Sequence, residues 1–208
     1  MYRIRTEGWN DESIKSFLDM KRRGGQSNQV RIIGGEHRGR KLSFPDIPGL
    51  RPTGDRIRET LFNWLQPKLA GASCLDLFAG SGALGMEAAS RGAGRVLMLD
   101  RSPLVVEQLQ HNISLLRLDQ TEARQADALV WLQGDPQKFD IVFLDPPFAD
   151  DLLQELCSRL EDGGWLRPGS LIYLEMDAGS ETPQLPAVWH VQKEKKAGQV
   201  EYLLCSRE

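Results

Sequence analysis

The fold this chain predicts is a doubly wound α/β sheet, mostly parallel, with a small β-hairpin extension before it and an antiparallel hairpin at its end. Three observations carry that prediction. Short apolar runs alternate along the chain with segments of helical spacing. The run Leu75-Asp-Leu-Phe-Ala-Gly-Ser-Gly-Ala-Leu-Gly85 passes from a strand through Gly80-x-Gly82-x-x-Gly85 into a helix-like segment, as a ligand-binding strand–turn–helix does. Asp76, Asp100, Asp127 and Asp145 all fall at the ends of expected strands, and an open sheet of this kind collects its ligands outside the carboxyl ends of its strands. A length of 208 residues suits one such domain with an appendage.

Taken in order, residues 1–28 read as a flexible leader. Ile14, Phe17 and Leu18 can make one amphipathic turn, and Gly24-Gly-Gln-Ser-Asn28 is linker-like. Met20-Lys-Arg-Arg begins like a bacterial basic N-terminus, so translation from Met20 is an expectation, with residues 1–19 dispensable. Residues 29–52 form a hairpin and basic arm, turned at His37-Arg-Gly39, followed by a loop through Pro45, Pro48 and Pro52. The main domain is 53–208. Thr53 is the expected N-cap of a helix reaching Leu65, with Asp55 in its positive first turn and Ile57, Leu61, Phe62 and Leu65 facing the core.

After the glycine loop come a helix over Ala83–Arg91, a strand over Arg95–Asp100 and a helix over Pro103–Arg117. The last has Val105, Val106, Leu109, Ile113 and Leu116 at core spacing and His111 at the surface. A strand near Glu122–Ala126 and a short helix lead to the apolar run Phe139–Leu144. Helix Asp151–Glu161, strand Ser170–Met176 and the hairpin Val188–Lys195 with Val200–Ser206 complete the alternation.

Charge is distributed unevenly. Between Lys21 and Arg58 ten basic residues face three acids, a net of +7 in a chain of net −3, which leaves −10 elsewhere. A basic arm on an acidic body is the footprint of phosphate binding, and Arg38, Arg40, Lys41, Arg51, Arg56 and Arg58 are its candidate RNA contacts. Cys74, Cys157 and Cys205 stand singly, without Cys-x-x-Cys or paired histidines. That pattern suits a reducing cytosol and argues against a structural metal. No apolar stretch has the length of a membrane span.

Asp145-Pro-Pro-Phe148, closing the apolar run, offers the chemistry to orient an exocyclic amine. The lone pair of such an amine is delocalised into its ring. If the Asp145 carboxylate and the Pro146 carbonyl accept its two N–H bonds, the nitrogen is drawn towards a pyramidal shape and can attack an electrophile. Phe148 then offers a stacking face for an extruded base. No cysteine neighbours this motif, which disfavours carbon methylation through a thiol nucleophile. The glycine loop, with Asp100 about 20 residues beyond its first glycine, fits either NAD or S-adenosylmethionine. Asp76 favours the second, because its carboxylate repels a pyrophosphate and attracts a sulfonium and an ammonium.

Asp76-Leu-Phe-Ala-Gly-Ser-Gly82, Asp100, Asp127 and Asp145-Pro-Pro-Phe148 resemble the successive motifs of class I S-adenosylmethionine-dependent methyltransferases, with their Rossmann-like sheet. Three further stretches are Arg31-Ile-Ile-Gly-Gly-Glu-His-Arg-Gly-Arg-Lys41, Arg51-Pro-Thr-Gly-Asp-Arg-Ile-Arg-Glu-Thr-Leu-Phe-Asn-Trp64 and Ala197-Gly-Gln-Val200. With them the chain from about Val30 onward resembles the ribosomal RNA small subunit methyltransferase D family. The resemblance implies a cytoplasmic enzyme that methylates the exocyclic N2 of one guanine in 16S ribosomal RNA, position 966 in ribosomal numbering, within the small subunit. It implies that Asp76, Phe78, Gly80 and Gly82 hold the methionine part of the cofactor, Asp100 its ribose hydroxyls, and Asp127 with the Ala128 backbone its adenine. Thr53 and Arg56 are placed by it near the cofactor carboxylate, no metal is implied, and Asp145, Pro146 and Phe148 are the catalytic motif. Read from the residues alone, an adenine-N6 nucleic-acid methyltransferase stays open, and an NAD-linked oxidoreductase is a weaker alternative.

Overall fold

In a computed structural model of the chain, residues 28–147 and 152–208 are described. The leader, the proposed start at Met20 and Phe148 lie outside them. Among the described residues the strands are β1 (Asn28–Arg31), β2 (Lys41–Phe44), β3 (Ser73–Asp76), β4 (Arg95–Asp100), β5 (Thr121–Gln125), β6 (Phe139–Leu144), β7 (Leu166–Asp177), β8 (Trp189–Ala197) and β9 (Val200–Arg207). The helices are α1 (Asp55–Leu69), α2 (Ala83–Ser90), α3 (Pro103–Leu116), α4 (Ala128–Trp131) and α5 (Leu153–Asp162).

β3 to β9 make one sheet in the order β5-β4-β3-β6-β7-β9-β8. The pairs from β5 to β7 are parallel, and β9 runs antiparallel to both β7 and β8. This is the mostly parallel Rossmann-like sheet with a terminal hairpin that the alternation predicts. Central strands read as unbroken apolar runs because both faces are covered. Cys74, Val96, Met98, Ile141 and Phe143 point into one core with Leu61, Leu65, Met86 and Leu109 of α1, α2 and α3. Their neighbours Leu75, Leu97, Leu99, Val142 and Leu144 point into the other, with Leu156 and Leu160 of α5.

Several boundaries differ from expectation for local reasons. α1 runs past Pro67 to Leu69, and its N-cap is Gly54 with no side-chain cap bond, because the Thr53 hydroxyl is spent elsewhere. β7 starts at Leu166, before the expected Ser170, with a register shift where it pairs with Phe139 and Ile141. Arg117 ends α3 in the left-handed conformation at φ 54°. His111 is exposed, as its place on α3 requires.

The β1–β2 hairpin is antiparallel, Arg31 opposite Lys41, and it packs on the body rather than projecting from it. Val30, Ile32, Leu42 and Phe44 enter the same core as α1 to α3. Its connecting loop lies so close to the end of α2 that a Cβ on Gly35 would stand 1.9 Å from the Ser90 carbonyl oxygen. Glu87 of α2, fully buried, accepts the Ile33 and Gly34 N–H groups at 2.7 and 2.8 Å.

Candidate active site

The order of the strands reverses between β3 and β6: chain connections lead away from β3 on one side through β4 and on the other through β6. Such a switch point leaves a crevice at the carboxyl ends of the two central strands. Asp76 is the last residue of β3, Asp100 the last of β4, and Asp145 follows β6 directly. They open on one cleft of about 660 Å³, within the roughly 300–1,000 Å³ common for small-molecule sites. Thr53, Asp76, Phe78, Gly80, Asp100, Asp127, Ala128, Asp145 and Pro146 all line it.

The glycine turn builds the near wall. Gly80 and Gly82 take φ of 49° and 78°, conformations costly for residues with a Cβ. The Gly80 N–H is tied to Asp100 Oδ2 at 3.0 Å, and the Ser102 N–H reaches Asp100 Oδ1 at 2.8 Å. Burial pushes the Asp100 carboxyl up from its ordinary pKa, while those two N–H groups oppose the rise. Gly82 does not face the cleft: a Cβ there would meet Leu109 Cδ2 at 2.6 Å. Its expected cofactor contact is therefore corrected to a role in packing the loop against α3.

Asp76 is 1% exposed. Its Oδ2 accepts the Gly85 N–H at 3.1 Å, and its buried Oδ1 has no hydrogen-bond partner. Burial, then the nearby Asp145 charge, push its pKa up to about 7; the N–H groups of Gly85 and Phe78 temper this, though only Gly85 reaches hydrogen-bonding geometry. Asp145 keeps partial access to the cleft, with its carboxyl set deep enough that burial raises its pKa to about 6. The Thr53 hydroxyl donates to Asp145 Oδ2 at 3.1 Å and opposes that rise.

Glu175 of β7 lines the same cleft and was not singled out in the sequence, where it reads as part of an apolar strand. Tyr173 Oη donates to its Oε2 at 2.6 Å, and burial followed by the Asp145 charge pushes it up to about 8. A lone carboxylate in Leu-Ile-Tyr-Leu-Glu-Met176 was the available signal, since charged residues are rarely buried without purpose. Asp76, Asp145 and Glu175 thus share one cleft, and no basic side chain among the described residues contributes to their ionisation. Buried anions without a counter-charge are unfavourable, so the cleft is built for a ligand that brings positive charge.

The remaining expected residues divide. Asp127 is exposed and caps α4, its Oδ1 accepting the Val130 N–H at 3.0 Å, so one oxygen is already committed. Arg51 is exposed at the cleft mouth, whereas Arg38, Arg40, Lys41 and Arg56 are exposed away from it. Arg58 is a correction. It is fully buried, donates to the Thr53 carbonyl at 3.1 Å and the Arg31 carbonyl at 2.9 Å, and pairs with Asp55 and Glu87. A guanidinium so enclosed is out of reach of RNA. The loop Ile47–Leu50 and the turn residues Gln199 and Val200 of the β8–β9 hairpin also reach the cleft. Of these, only the Ala197–Val200 stretch stood out in the sequence.

Comparison with known proteins agrees with this geometry. Residues 30–206 match the family model described as conserved hypothetical protein 95. The ribosomal RNA small subunit methyltransferase D of Escherichia coli K12 is 49% identical over 182 residues, covering 88% of this chain and 92% of that protein. The protein of the same name from Haemophilus influenzae is 45% identical, with 85% and 93% covered. The solved structure of Escherichia coli yhhF superposes with a TM-score of 0.82 at 48% identity, covering 87% of this chain and 99% of that one.

Proposed function

Since the chain belongs to the ribosomal RNA small subunit methyltransferase D family, we propose that it transfers a methyl group from S-adenosylmethionine to the exocyclic N2 of a guanine in 16S ribosomal RNA, position 966, within the small subunit. The observation that carries the cofactor half of this reading is the unpartnered, buried Asp76 Oδ1 among carboxylates that lack a counter-charge. An ammonium and a sulfonium supply that charge, whereas the pyrophosphate of NAD would add two negative charges to it. Asp76 is then the partner of the amino group, Asp100 of the ribose hydroxyls, and Phe78 and Ala128 line the remaining wall. The bound cofactor supplies a methyl group on a positively charged sulfur, a good leaving group.

The residues of the chain do the rest by position. Asp145, ionised, accepts from both N1–H and N2–H of guanine, an arrangement that adenine, with an acceptor at N1, meets unfavourably. The Pro146 carbonyl takes the second N2 hydrogen, and Phe148 stacks on the extruded base. Alignment of the amine with the methyl then supplies most of the rate. Arg38, Arg40 and Lys41 on the hairpin, with Arg51 and Arg56, engage RNA phosphates.

The test is radiolabelled methyl transfer into small subunits isolated from a strain lacking this protein, followed by digestion to nucleosides. Label in N2-methylguanosine is expected; label in N6-methyladenosine would move the reading to the adenine-specific class. Calorimetry is expected to show binding of S-adenosylmethionine and none of NAD.

A further inference from the structure

Glu175 has a place in the site that the base-gripping motif does not account for. β6 and β7 run side by side, Phe143 opposite Tyr173 and Leu144 opposite Leu174, so the next step of the register sets Asp145 beside Glu175. Tyr173 is fully buried and Glu175 is 5% exposed. The Thr53 hydroxyl lies between the two acids: it donates to Asp145 Oδ2 and stands within reach of Glu175. A hydroxyl has one proton and two lone pairs. With that proton committed to Asp145, a hydrogen bond between Thr53 and Glu175 requires the proton on Glu175. We propose that Glu175 is a positioning residue for methyl transfer: as a neutral acid it donates to Thr53, Thr53 donates to Asp145, and Asp145 is left as the anion that grips the base.

Two carboxyls that share a buried site divide the protons unequally. The direction here agrees with the geometry, since Glu175 is pushed up to about 8 and Asp145 only to about 6. The other titratable groups around Glu175 are Tyr173 on its own strand, Tyr202 directly opposite on β9, Asp145 on β6 and, further along the cleft, Asp76. No cation among the described residues contributes to its ionisation. Above its pKa, Glu175 becomes a second anion beside Asp145 and its donor bond to Thr53 is lost. Methyl transfer should therefore fall on the alkaline side.

The inference rests on the proposed methyl transfer, and the experiment separates the two. Single-turnover transfer to small subunits at saturating cofactor is measured from pH 5 to 9.5. The wild-type rate should rise through about pH 6 as Asp145 ionises and fall through about pH 8 as Glu175 does, roughly tenfold one unit beyond that point. Glu175→Gln is expected to lose the alkaline limb, and Glu175→Leu to be slower than Glu175→Gln at every pH, because only Gln can donate to Thr53. Tyr173→Phe removes a bond that favours ionised Glu175, so its alkaline limb should move to higher pH; this variant serves if Glu175→Gln does not fold. An alkaline limb unchanged in Glu175→Gln, or in Tyr173→Phe in its place, would belong to the base or another group and would overturn the inference alone. No transfer by the wild type at any pH would overturn the functional reading and this inference with it.

Discussion

The molecule contains two buried charged clusters less than one helix apart in sequence, and they are built on opposite plans. Around Glu87 every charge is answered. Its carboxylate takes Arg91 at 2.6 Å, Arg58 at 3.4 Å and two backbone N–H groups from the hairpin loop. In the cleft, Asp76, Asp145 and Glu175 have hydroxyls and backbone N–H groups for company and no ion pair among the described residues. A satisfied cluster holds parts together: Glu87 and Arg58 clamp the basic hairpin and Thr53 to the body. An unsatisfied one costs stability and is kept where a charged ligand and a reacting base must be met. Thr53 joins the two, since Arg58 holds its carbonyl while its hydroxyl holds Asp145.

The comparison breaks if the clusters respond alike to mutation. The largest effect expected is on chemistry: Asp145→Ala should lower methyl transfer by about 10²–10⁴-fold while calorimetric binding of S-adenosylmethionine persists. Next, Glu87→Ala strands two buried guanidinium groups and two N–H groups. Breaking a buried pair of this kind costs about 3–5 kcal/mol, to be read from denaturant unfolding.

Asp76→Asn should do the reverse for the unliganded protein. Its pKa is about 7 folded against 3.8 ordinarily, so the folded state holds the proton more tightly. The associated stability is present below about pH 4 and is lost as pH rises through about 7. Melting temperature without ligand should therefore fall between pH 5 and pH 8. Asp76→Asn should flatten that fall and raise stability at pH 8 by roughly 1–3 kcal/mol, while weakening cofactor binding. A destabilised Asp76→Asn at pH 8 would place Asp76 with the structural cluster. The smallest effect belongs to the exposed hairpin: replacing Arg38, Arg40 and Lys41 by alanine should raise KM more than it lowers kcat. It should also reduce the salt slope of subunit binding by up to about 0.9 for each phosphate that is no longer neutralised.

What the sequence determined by itself was local in origin. Period-two apolar runs bounded by glycine turns placed the strands, and their ends placed Asp76, Asp100 and Asp145, because a strand's direction and its last residue follow from the chain alone. The glycine loop was legible for the same reason. Tertiary structure decided which polar groups meet. Thr53 looks like a helix cap beside Asp55, yet its hydroxyl goes to a residue 92 positions away. Arg58 sits in a basic run that suggests an RNA-facing surface, but it lies on the buried side of α1 with Ile57 and Leu61, against Glu87 of α2. Glu175 has no local mark of function beyond being an acid in a strand, and acquires one because β7 pairs with β6 in the register that brings it beside Asp145. Burial and counter-charge depend on partners distant in the chain, so the pattern of residues announces the acids while only packing decides which of them are left unpaired.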